Sequence, residues 1–311
     1  MRGYKEPSFQ ERTAAAARAR ETALAKLKAR PVPSPEELER RAAAAAAKQA
    51  ADAEKRAAKL AAREAEIAAK EAARREAELA AIADAAQDHG ITGRLVPAID
   101  REASPQDAVE MVQWMCAHRC DETIGLGIDY RETDRPPELF AEAYALARSA
   151  GFKTTAHAGE FGCDWRNVKT AVELLQVDRI DHGYTIIDAP GFAQQCKERG
   201  LVFTVVPTNS YYLRTLPKER WALDHPIRRM REMGLALHPN TDDPTLHHVT
   251  PTQAWQMMHR DFGFTLGDLR QCMQSGLKAA WTDDATRRQR HHEFSAGFDE
   301  LLSFYELSSH M

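Results

Sequence analysis

Residues 153–184 read KTTAHAGEFGCDWRNVKTAVELLQVDRIDHGY, and this stretch decides the fold. It opens on a short β-rich run, 153–160, passes through a helical stretch and closes on a second β-rich run, 179–184. Runs of the same kind recur on both sides: 93–100 (GRLVPAID), 123–130 (TIGLGIDY), 201–210 (LVFTVVPTNS) and 235–244 (LALHPNTDDP). Six βα units in series predict an α/β fold with a parallel sheet, because each crossover helix returns the chain to the same end of the sheet. Start signals place the helices: Ser104 has Asp107 three residues on, and Thr250 is followed by Pro251. Val109, Val112 and Met115 or Cys116 then form one apolar stripe; Phe140, Tyr144 and Ala147 form another.

The polar residues are not spread evenly over these units. His157, Glu160, His182, Asn209, Asp242 and Asp243 all fall at or just past the C-terminal ends of runs, where a (β/α)8 barrel or an open α/β sheet builds its site. Singly they read blandly. A lone histidine such as His225 or His238 is usually a hydrogen-bonded structural residue, and Asp243 before Pro244 is ordinary turn chemistry. Together, so many ionisable groups at successive strand ends point to a functional site. Imidazole and carboxylate suit Zn²⁺, and further histidine and glutamate can move protons, so the chemistry expected is metal-assisted hydrolysis. No serine, cysteine or lysine has an obvious base beside it; Cys163 is nearest, and nothing local would lower its pKa.

Upstream the composition changes. Of 311 residues with a formal net charge of −4, the first 86 hold 18 Lys and Arg against 14 Asp and Glu, and every Trp, Cys and His lies beyond them. Residues 1–86 therefore read as a helical arm rich in Ala, Glu, Lys and Arg, and residues 87–311 as the barrel segment. From 36 to 86 there is no Gly or Pro, which predicts one helix about 75 Å long, capped by Ser34. Asp52 with Arg56, Glu66 with Lys70 and Glu71 with Arg75 stand four apart, acid first, the favourable order on an exposed face. Leu60 and Ile67 are one heptad apart, but Leu79 and Ile82 do not continue the pattern. That leaves a solvated helix or a coiled-coil arm that binds a partner. Interleaved acids make no concentrated basic patch, so nucleic acid is not an expected partner. The longest apolar stretch in this part is the six alanines 42–47, far short of a membrane span. Five cysteines without a C-x-x-C pair, and an N-terminus without an apolar run, lead to the expectation of a reducing cytoplasm.

Three motifs in series, His157-Ala158-Gly159-Glu160, Asp181-His182-Gly183-Tyr184 and Asn240-Thr241-Asp242-Asp243-Pro244, resemble the adenosine deaminase family of metal-dependent hydrolases. The likeness runs from about residue 90 to about 305. It implies a (β/α)8-type barrel that removes the 6-amino group of adenosine or a related aminopurine with the help of Zn²⁺. By the same resemblance, His157 and Asp242 would be zinc ligands, Glu160 the acid that protonates the purine, and His182 the group that orients and deprotonates the attacking water. Asp243 would be catalytic and hydrogen-bond the purine, and Gly159 would line the substrate. Residues 3–9 (GYKEPSF) begin a segment that also resembles small Ala-, Lys- and Arg-rich bacterial proteins of unknown function.

This chain departs from the family pattern in three places. No two of its twelve histidines are separated by one residue, so the family's His-x-His pair is absent. Six βα units are recognisable where eight close a barrel, and Tyr130-Arg131-Glu132 stands where the family usually places a glycine. The expectation is that this chain alone deaminates adenosine poorly or not at all. The rival expectation is a non-catalytic purine-binding or scaffold protein with a helical arm. An open barrel edge, or the arm itself, would favour oligomers.

Overall fold

The computed structural model describes residues 9–29, 34–160, 162–208 and 216–305; Asn209, expected at a strand end, lies outside the described residues. The chain divides into two compact units, Met1–Ala81 and Ile82–Met311.

The first unit holds α1 (Phe9–Lys28), which the sequence reading did not anticipate, and most of α2 (Pro35–His89). Ser34 starts α2 as expected, its hydroxyl accepting the N–H of Glu37 at 3.2 Å, with Pro35 in the first turn where a missing N–H costs nothing. No residue of its 55 is buried. What holds it is local: alanine's propensity and exposed pairs four apart, Glu37–Arg41 at 2.6 Å, Glu66–Lys70 at 2.7 Å and Arg74–Glu78 at 2.8 Å. The helix runs three residues past the expected end at 86. It stops at Gly90, whose φ of +63° turns the chain while the N–H groups of Gly90 and Ile91 bond back to Ala86 and Ala85. No described helix is long and apolar enough to cross a membrane.

The second unit is the predicted parallel sheet. Its strands are β1 (Ala98–Asp100), β2 (Gly125–Asp129), β3 (Lys153–Ala158), β4 (Arg179–His182), β5 (Val202–Val205) and β6 (Ala236–Pro239), hydrogen-bonded in that order, every pair parallel. Between and after them come α3 (Pro105–Ala117), α4 (Ala141–Ser149), α5 (Arg166–Glu173), α6 (Pro190–Glu198), α7 (Trp221–Asp224), α8 (Ile227–Glu232), α9 (Pro251–Arg260), α10 (Leu266–Ala279) and α11 (Asp284–Phe304). Ser104 with Asp107, and Thr250 with Gln253, each close a two-way capping box at the head of α3 and α9. All four residues of β5 are buried, as befits a strand covered on both faces. The core joins Leu126, Ile128, Ile180 and Phe203 of the sheet to Val112, Phe140, Tyr144 and Met258 of the helical layer.

Six strands are present among the described residues, with β1 and β6 at the two edges of the sheet. Trp281 lies against Gly125 so closely that a Cβ there would sit 2.5 Å from its ring, and the Arg179 guanidinium stacks on the same ring at 3.9 Å.

Candidate active site

Register builds the site. In the β3–β4 ladder His157 pairs with Asp181 and Ala158 with His182, so the two histidines stand one residue out of step at the ends of adjacent strands. Their rings meet edge to face with centroids 4.4 Å apart, and His182 Nε2 lies 3.3 Å from His157 Nδ1. Glu160, two residues past the end of β3, turns back on both: its carboxylate lies 3.6 Å from His157 Nδ1 and 3.8 Å from His182 Nε2. Asp129, at the end of β2, approaches His157 Nε2 at 3.4 Å. Asp242 follows β6 and completes the group: one donor atom each from His157, His182 and Asp242 lie within 4.8 Å of one another. Asp243 stands apart from this trio and shares a second cluster with Asp242 and His247.

Sharp turns aim these side chains. His182 has a φ of +68° and Asp242 of +56°, uncommon for non-glycine residues and concentrated here at strand ends. Gly159 has a φ of +73°, and a Cβ there would sit 2.6 Å from the Thr185 hydroxyl. Gly159, expected to line the substrate, gives its N–H to Glu132 at 3.0 Å and packs closely against Thr185 and Val168.

The electrostatics separate the two imidazoles. Burial by itself lowers His157, but Glu160, Asp181 and Asp129 outweigh it and raise the group to about 9. His182 goes the other way: burial lowers it, the charge of Glu160 opposes and that of His157 adds. The surroundings thus favour the proton on His157 and disfavour it on His182. Asp181, raised by burial, is held below the usual carboxylate range by His157, Arg179 and hydrogen bonds from Thr155 and Thr204. Tyr184 steadies the far side of His182, its hydroxyl 3.4 Å from Nδ1 while it donates to the Val206 carbonyl and accepts the Val206 N–H.

The bland readings of other groups hold. His225 is buried and accepts the Ile227 N–H at 3.2 Å; His238 lies 3.1 Å from the Cys272 carbonyl. Burial pushes the Cys163 thiol up, the wrong direction for a nucleophile. Sequence reasoning assigned no role to Asp129, Asp181 or the Arg101–Glu132 pair. For the aspartates a signal existed, since Asp129 stands one residue before the end of its β-rich run and Asp181 opens one of the three motifs.

A parallel βα sheet whose strand ends bring imidazoles and carboxylates together defines a class, the metal-dependent hydrolases of barrel type. The family profile of adenosine deaminases matches residues 34–295, and the chain belongs to that family. Among curated relatives, an adenine deaminase of Rhodopseudomonas palustris is 31% identical over 209 residues, covering 67% of this chain and 60% of its own. One from Psychrobacter cryohalolentis is 29% identical, covering 67% and 61%. Among solved structures, a zinc-bound amidohydrolase of Burkholderia ambifaria is 58% identical with a TM-score of 0.71, covering 73% of this chain and 62% of that one. An adenine deaminase of Arthrobacter aurescens is 25% identical with a TM-score of 0.66, covering 71% and 66%. The chain thus spans about 60% of the length of the curated relatives it matches.

Proposed function

We propose that this chain carries an aminopurine-deaminase site that binds zinc and a 6-aminopurine, preferring the free base adenine to its nucleoside, and turns it over slowly. One observation carries the reading: Glu160 meets both His157 and His182 within 3.8 Å at the ends of adjacent strands, beside the Asp242 carboxylate. Two imidazoles and a carboxylate are a fitting donor set for zinc, and one that leaves a position open. His157, His182 and Asp242 would hold the ion, which when bound supplies an acidified water and a positive charge beside the reacting carbon. The preference for adenine is supported by relatives named as adenine deaminases, one 31% identical.

The rest belongs to the chain's own residues. Glu160, 6% exposed and beside both histidines, delivers a proton to the ring nitrogen next to the amino-bearing carbon. Asp243, exposed at the rim, accepts a hydrogen bond from the purine ring. His182 is the residue whose role changes. Without a His-x-His pair it joins the ligand set, and the base that would deprotonate the water is lost. General-base catalysis is worth roughly 10²- to 10⁴-fold, so turnover falls short of a complete family member by about that factor.

The test is ultraviolet absorbance of adenine, and separately of adenosine, with added Zn²⁺. The expected result is slow, zinc-dependent conversion of adenine that Glu160→Gln abolishes, with zinc affinity lost in His182→Ala. Zinc-independent turnover, or turnover indifferent to Glu160, overturns the proposal. Binding of adenine without any turnover assigns the chain to the purine-binding scaffold class instead.

A further inference from the structure

A buried ion pair stands behind the 157–160 turn, and it belongs to no motif. Arg101, one residue past β1, is completely buried, and Glu132, three past β2, is 1% exposed. Their charged groups are 3.8 Å apart. Arg101 Nη2 donates to the His157 carbonyl at 2.6 Å. The two oxygens of Glu132 divide the other side of the turn: Oε2 accepts the N–H of Gly159 at 3.0 Å and the amide of Asn167 at 3.1 Å, and Oε1 accepts the N–H of Glu160 at 2.8 Å. Arg135 braces the pair from behind, donating to the carbonyls of Arg101 and Ala103.

We propose that Arg101 and Glu132 are positioning residues that clamp the backbone of His157, Gly159 and Glu160, and so fix the His157 ring and the Glu160 carboxylate in one orientation; this rests on the site proposed above. Three polar backbone groups of one four-residue turn are taken by two charges of opposite sign, each matched to the group it meets. Only a carboxylate offers two acceptor oxygens at this spacing; glutamine offers one oxygen and an NH2 that cannot accept. Rotation of the peptide between Gly159 and Glu160 would carry the Glu160 carboxylate away from both histidines. The last pair of the β3–β4 ladder is Ala158 with His182, so both N–H groups lie beyond the sheet's own bonding and meet the Glu132 carboxylate instead.

The experiment compares Glu132→Gln and Arg101→Lys with Val112→Ala, a core truncation in α3 that loosens the fold without touching the turn. The whole 311-residue chain is used, well below the lowest melting temperature of the set. Cobalt affinity and its visible spectrum report His157, steady-state kinetics with adenine report Glu160, and amide hydrogen exchange reads the 159 and 160 N–H groups directly. The clamp predicts about tenfold or greater loss of cobalt affinity with a changed band, a fall in kcat with KM nearly unmoved, and faster exchange at 159 and 160 in Glu132→Gln, none of these in Val112→Ala. If both clamp variants track Val112→Ala in metal affinity, spectrum and exchange, the proposal is overturned. Should Glu132→Gln fail to fold, Arg101→Lys, which keeps the charge and loses the reach to the His157 carbonyl, decides it. If the unmutated chain turns over neither adenine nor adenosine, the functional reading fails while the metal and exchange measurements still judge the clamp.

Discussion

α2 and β5 are held in place by opposite means. Every side chain of α2 that could pack stays at least partly in solvent, and the helix persists over 55 residues on propensity and pairs four apart. β5 has only four residues, all buried; its Val, Phe and Thr side chains favour a strand, but neighbours at 180–181 and 236–239 are what hold it in the sheet. Length without burial and burial without length are both workable solutions. Only the second brings side chains distant in sequence to fixed separations, and only there does a site form.

That contrast is broken or sharpened most strongly by paired truncations. Phe203→Ala, in β5 and fully buried beneath Gly183, is expected to cost about 3–5 kcal/mol by chemical denaturation. Leu60→Ala in α2, more than half exposed, is expected to stay within about 0.5 kcal/mol when helix melting is followed by circular dichroism. Comparable losses in both would mean that α2 packs on something as firmly as the sheet does.

How much of this was legible depended on whether the cause was local. α2 was, because Ser34, the Gly- and Pro-free run and the acid-first pairs are local causes. So were the six strand centres, since parallel strands buried on both faces show as apolar runs. Their ends were not: the run 201–210 shrinks to Val202–Val205, because strand length is set by what the neighbour pairs, which the run itself does not contain. The polar ends of the runs announced the site, but the convergence of His182 with His157 and Asp242 depends on register, a property of two strands at once. Arg101 and Glu132 were the least legible. They are 31 residues apart, and nothing in an arginine's surroundings along the chain says that it will be fully buried.

A smaller effect tests how tightly a helix must approach the sheet. Gly276 of α10 faces His238 of β6 so closely that a Cβ would lie 2.2 Å from the imidazole. Gly276→Ala is expected to cost about 1–3 kcal/mol by denaturant titration, because α10 must lift or His238 must leave its Cys272 carbonyl. A neutral result would show that the ring moves freely.

His238 also makes the second unit sensitive to acid. Burial lowers its pKa, more than the bond to Cys272 raises it, and Arg179 lowers it further. The fold therefore favours the neutral ring. Its contribution is complete above the ordinary imidazole value near 6.5 and is lost as pH falls below it, because the unfolded chain takes the proton first. His238→Gln should flatten the decline in stability below pH 6.5. An unchanged decline assigns acid sensitivity to other buried histidines, with His225, pushed down to about 3 by burial, the first to examine.

The smallest expected effect is the most exacting for the comparison: removal of residues 1–81 should leave the remainder as stable as before. The motive is physical. In a helix without one buried residue, each turn stabilises only its neighbours, and neither Trp nor Cys nor His lies in those 81 residues to anchor a core. Ile82 is different, since it reaches within 3.3 Å of the position a Cβ would take on Gly93, so the truncated chain should begin no later than there. A change of 1 kcal/mol moves the melting temperature of a domain this size by roughly 2–4 °C, so a shift below about 2 °C is the expected outcome by calorimetry. Limited proteolysis should agree, removing the N-terminal helices and leaving a resistant fragment that still binds zinc. A large fall in melting temperature, or a fragment degraded as quickly as the arm, would make α2 part of the folded core and erase the distinction between the two regions.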